Sequence, residues 1–61
     1  MLGSVIKYER LKQNMKQEVL CKNICSVSYM SKIESDTALP SEEITVLLFR
    51  KLGIQYQKDL P

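Results

Sequence analysis

Sixty-one residues with a formal net charge of +2 and an apolar content of 44% describe one small globular domain rather than a disordered tail. No apolar run reaches the roughly 18 residues of a membrane-spanning helix, and the N-terminus lacks the apolar core of a secretory signal, so a cytoplasmic address is expected. A chain this short buries only about 60% of the surface its unfolded form exposes, so its stability gains from tight helix packing, a partner chain or bound nucleic acid.

Leu2 to Gln13 has helical spacing, with Leu2, Val5, Ile6 and the ring of Tyr8 as its apolar positions. Asn14 suits a left-handed stop, because Asn tolerates positive φ better than most residues, and Met15 is expected to tuck back toward the core. A second helix is expected over 17–23, with Val19, Leu20 and Cys21 facing inward. Its start is poorly capped, since Lys16 stands where an oxygen-bearing side chain is preferred. Ser26 is a good N-cap for a third helix over 27–34, in which Val27, Met30 and Ile33 recur at i, i+3 and i+6. Ser28, Tyr29, Ser31 and Lys32 point elsewhere. After a loop from Thr37 to Pro40, Ser41 caps a fourth helix over 42–52. Glu42 and Glu43 suit its positive end, Arg50 and Lys51 its negative end, and Gly53 closes it. The tail IQYQKDLP is able to begin a fifth element. No strand pattern or repeat appears. The expected fold is all-α, a compact bundle of four short helices forming a single domain over 1–61.

The charge is unevenly placed. Lys7, Arg10, Lys12, Lys16, Lys22 and Lys32 fall in the first 32 residues against Glu9 and Glu18 only, so a basic face belongs to the N-terminal helices. Glu34, Asp36, Glu42, Glu43 and Asp59 occupy the second half. Cys21 and Cys25 read as reduced thiols that act as small apolar residues. They have no histidine and no second cysteine pair with which to build a zinc site. Catalysis is not expected. The chain has no general base beside either thiol, no glycine-rich phosphate loop, and Glu42 and Glu43, being adjacent on a helix, point apart. No cofactor, metal, membrane or small-molecule site is read.

Residues 14–34, NMKQEVLCKNICSVSYMSKIE, combine a short helix, a tight break and a second helix with small polar side chains on one face. That unit is the usual way a small all-α domain places side chains in the DNA major groove. With Ile6, Lys7 and Arg10, then Gln17 and Leu20, then SKIE at Ser31 to Glu34, then Pro40-Ser41 and Leu52 to Ile54, the chain resembles the Cro/XRE helix-turn-helix domain, a lambda-repressor-like fold. Within it, the chain looks most like the N-terminal DNA-binding domain of the Rgg/PlcR/NprR-type peptide-sensing regulators. The resemblance covers residues 2–54.

That resemblance implies roles. Gln17 would contact a phosphate or base edge, and Ser26, Val27, Ser28, Ser31 and Lys32 would face the groove. Serine hydroxyls suit bases or phosphates, a valine methyl suits thymine, and lysine reaches guanine or phosphate. Tyr29 would donate to phosphate or cover the helix junction, and Lys16 adds positive charge toward DNA. Arg10 and Glu34 match an internal, structural ion pair. Three residues depart from the family pattern. Lys16 replaces a Ser/Thr cap. Asp36 stands where Gly is common and puts negative charge near the expected phosphate path. Phe49 replaces a small residue, so a large side chain of Val46 to Phe49 is expected at the surface. Val46, Leu47, Phe49, Ile54 and Tyr56 are therefore the expected interface. The expected function is a bacterial or phage transcriptional regulator that binds double-stranded DNA sequence-specifically, as a homodimer. The alternative is a small interaction module of the same fold that modulates a larger regulator.

Overall fold

The computed structural model describes residues 2–56. It is all-helical, as expected: α1 (Leu2–Lys12), α2 (Gln17–Cys21), α3 (Val27–Glu34) and α4 (Glu42–Leu52). Helices α3 and α4 each pack against both α1 and α2. Ile6, Leu20, Met30, Ile33, Leu48, Phe49 and Leu52 form the shared core with Cys21. Among the described residues, no helix is long and apolar enough to cross a membrane.

The helix ends follow from local chemistry. Ser26 Oγ accepts the Tyr29 amide at 3.1 Å and Ser41 Oγ accepts the Ile44 amide at 3.2 Å, so each hydroxyl satisfies an amide that the helix leaves open. Lys16 makes no side-chain cap to α2. Gly53, at φ 79°, closes α4, and its amide bonds back to Arg50. Asn14 takes φ 55° and ends α1.

Several expectations are corrected. Helix α1 ends at Lys12 rather than Gln13 because Asn14, at φ 55°, turns the chain left-handed: its amide bonds back to the Leu11 carbonyl and the Met15 amide to the Arg10 carbonyl, each at 3.0 Å. Helix α2 stops at Cys21 rather than Asn23. Asn23 adopts φ 66°, and the Ile24 and Cys25 amides both turn back to the Cys21 carbonyl at 2.8 and 2.9 Å. So short a helix shows the core only Leu20 and Cys21, and Val19 is exposed. In α1 the inward stripe is Leu2, Ile6 and Arg10, spaced by four. Val5 and Tyr8 lie off it and are exposed. The large side chain expected at the surface of Val46 to Phe49 is Leu47, 40% exposed, whereas Phe49, placed in the expected interface, is 7% exposed, its ring meeting Tyr56 edge-on at 5.2 Å. A fifth element in the tail falls largely on 57–61, outside the described residues.

Candidate nucleic-acid interface

The site is built around one buried ion pair. Arg10 Nε donates to Glu34 Oε2 at 2.6 Å and Nη2 donates to Oε1 at 3.0 Å. This two-point geometry holds a guanidinium and a carboxylate coplanar. The third guanidinium nitrogen, Nη1, donates to the Met15 carbonyl at 2.8 Å. Arg10 therefore ties α1 both to the end of α3 and to the strap leading into α2. Burial by itself raises the pKa of the Glu34 carboxyl. Hydrogen bonds from Arg10 and Gln17, with the charges of Arg10 and Lys7, outweigh that and hold it below the ordinary glutamate value.

Gln17 joins this network. Its Nε2 donates to Glu34 Oε1 at 3.0 Å, so the amide leans inward and links the first residue of α2 to the last of α3. Lys16, beside it, is exposed.

Helix α3 is anchored by one face. Met30 and Ile33 are buried and Glu34 is 7% exposed, whereas Val27 is 46% exposed. Val27 belongs to the outer face despite its apolar spacing, because the first residue of α3 projects beyond the core. Ser26, Ser28, Ser31 and Lys32 are exposed and Tyr29 is half-buried against the core. The turn between α2 and α3 is held from outside by Lys51 Nζ, which donates to the Lys22 carbonyl at 3.2 Å. Cys25, half-buried in this turn, has its thiol pKa pushed up by burial and by the neighbouring Cys21 thiol.

The far end of α3 is fixed by a contact that the sequence reading missed. Asp36, at φ 62°, accepts the Gly3 amide on Oδ1 at 3.1 Å. A Cβ on Gly3 would collide with the Ile33 carbonyl and lie 2.9 Å from that of Glu34. The first turn of α1 thus presses directly on the last turn of α3. The signal was a glycine inside a helix, which often marks close backbone approach. The Asp36 carboxylate is held against α1 by this bond and keeps its negative charge, exposed at the exit of α3. Gln13 was also missed: its Nε2 donates to the Leu52 carbonyl at 2.7 Å and closes the end of α4.

Of the expected interface residues, Leu47 is 40% exposed. Val46, Ile54 and Tyr56 are half-buried and Phe49 is inside. The interface as expected is thus corrected at Phe49.

A family model described as helix-turn-helix matches residues 6–58. The chain belongs to the helix-turn-helix family. This is the Cro/XRE type that the sequence motifs resemble, a family of non-enzymatic DNA-binding domains. Over 35 residues, 57% of the chain, it is 51% identical to the transcriptional activator NprA of Geobacillus stearothermophilus. The match spans 9% of that relative's length. No solved structure gives a significant match. In helix-turn-helix terms, α2 and α3 are the paired helices and 22–26 is the turn.

Proposed function

We propose that this helix-turn-helix chain is a sequence-specific DNA-binding regulator, or the DNA-binding domain of one, and that it acts as a dimer in the cytoplasm. Helix α3 is its recognition helix. The observation that carries this reading is the division of α3 into a buried anchor, Met30, Ile33 and the clamped Glu34, and an outer face of Val27, Ser28, Ser31 and Lys32. A helix held this way presents short side chains at fixed positions, as entry into a major groove requires.

The roles follow from chemistry. Ser28 and Ser31 hydrogen-bond to base edges or phosphates, Val27 packs on a thymine methyl, and Lys32 reaches guanine or phosphate. Ser26, Lys16 and the Tyr29 hydroxyl serve the backbone. Gln17, with one amide proton given to Glu34, has a second for a phosphate. Helix α3 carries no Arg, Asn or Gln for bidentate base contacts, so part of the selectivity rests on DNA shape.

The test is a titration against fluorescent duplexes from the protein's own upstream region and a scrambled control, at low and physiological salt. Binding that weakens with salt yet keeps a preference for the native duplex is the expected result. Equal, weak or absent binding to both duplexes overturns the reading.

A further inference from the structure

The outer face of α4 carries Glu43, Val46, Leu47 and Arg50, which line one groove together with Glu42. These four positions are spaced i, i+3, i+4 and i+7, so they form a single stripe. Val46 is half-buried and Leu47 is 40% exposed, while the opposite side of the helix gives Thr45, Leu48, Phe49 and Leu52 to the core. The stripe is apolar at its centre, acidic at its N-terminal end and basic at its C-terminal end. Among the described residues neither Glu43 nor Arg50 takes part in an ion pair. Seven residues apart, they lie about 10 Å from each other along the helix and cannot pair within it.

We infer that this stripe is the contact surface for a second copy of the chain, with the two α4 helices crossing antiparallel about a two-fold axis between Val46 and Leu47. The inference rests on the proposed dimeric regulator and specifies its interface. A symmetric interface must be self-complementary: if i meets j, then j meets i. An axis at the midpoint of Val46 and Leu47 sets each of them against the other's counterpart. The same axis sets Glu43 against Arg50 of the second copy, and Arg50 against Glu43, so both charges are matched twice. A parallel arrangement would set like against like. The occupant is a second copy because the stripe is complementary to its own reverse. One 11-residue helix is too short to bury the roughly 1,200 Å² of a standard stable interface. The dimer is therefore weak in solution and gains strength when one duplex holds both copies, which raises their effective concentration.

The test is charge exchange on the 61-residue chain, read by sedimentation equilibrium up to millimolar concentration, with circular dichroism to verify folding. Glu43→Arg makes both ends of the stripe positive and Arg50→Glu makes both negative. Each alone should raise the dimer Kd by about tenfold or more, because two pairs become repulsive at once. Mixing the two singly substituted chains should restore association as a heterodimer. The double substitution Glu43→Arg with Arg50→Glu should restore the homodimer to within about threefold of the unsubstituted chain. A structural role within one chain predicts neither rescue. An unsubstituted chain that stays monomeric at millimolar concentration overturns the inference. So do single substitutions without effect, or a double substitution and mixture that fail to recover. Binding to a single half-site duplex, measured in parallel, reports on DNA recognition alone. Its loss in the unsubstituted chain identifies a failure of the DNA reading instead.

Discussion

Glu34 shows how one side chain sets the stability of a 61-residue chain. Its carboxylate is held by both Arg10 and Gln17 and is 7% exposed. Removing one partner of a buried pair leaves the other charge uncompensated, at about 3–5 kcal/mol. The whole domain is expected to have roughly 3–9 kcal/mol of stability. Glu34→Ala is therefore expected to lower the thermal midpoint by well over 10 °C, or to unfold the chain, measured by circular dichroism without DNA. An unchanged midpoint would remove the pair from the account of stability. Acid has the same target. Because the folded-state pKa of Glu34 is depressed, its stabilisation is complete above the ordinary glutamate range. It is lost as pH falls through the lowered value. Urea midpoints should stay level from neutral pH to the upper edge of that range and fall below it, and Glu34→Gln should flatten the decline. Arg10 and Glu34 were identifiable in the sequence only through the family motif, since nothing in a 24-residue separation predicts contact. The inward lean of Gln17 was not legible at all, because a glutamine beside a helix start is equally suited to solvent, DNA or a buried carboxylate.

Helix identities were read from apolar spacing and caps, and these signals are local. Ser26, Ser41 and Gly53 mark their helix ends in the sequence and cap them in the structure. Ser26→Ala should therefore cost about 1 kcal/mol in chemical denaturation, with a DNA affinity loss if α3 frays at its first turn. Lys16→Ser should move stability the other way by a smaller amount, since Lys16 makes no cap bond. What spacing misjudged was which residues of each helix face inward. In α1 the Val5 and Tyr8 positions look apolar on a helical wheel, yet the packing direction is set by Gly3, Ile6 and Arg10. Gly3→Ala tests that directly. Its Cβ has no space against the Ile33 and Glu34 carbonyls and lies 2.7 Å from Asp36 Oδ1. The substitution should destabilise by several kcal/mol despite alanine's better helix propensity. A neutral or stabilising result would show that α1 and α3 can separate cheaply.

At the scale of the molecule, α1 and α2 hold α3, and α4 packs against both of them. The inner face of α3 is sealed by the core, its last residue is clamped by Arg10, and its exit is pressed by Gly3. The outer face is left to solvent, and the DNA reading assigns it a role. Lys32→Ala should weaken binding to native and scrambled duplexes alike and reduce the salt slope by about one if the ammonium meets phosphate. Loss confined to the native duplex would assign it to a base instead.

The sequence by itself determined the all-α class, the four helices and four of their ends, because these depend on neighbours within a turn or two of chain, and it carried the helix-turn-helix resemblance through motif residues spread from Ile6 to Ile54. Only the tertiary structure decided that Phe49 is inside, that Val5 and Val19 are outside, that Gln17 is bonded to Glu34, and that Asp36 accepts from Gly3. Those outcomes depend on the angles at which short helices cross. The angles are set by contacts between residues up to 39 apart, such as Gln13 with the Leu52 carbonyl, which no local periodicity records.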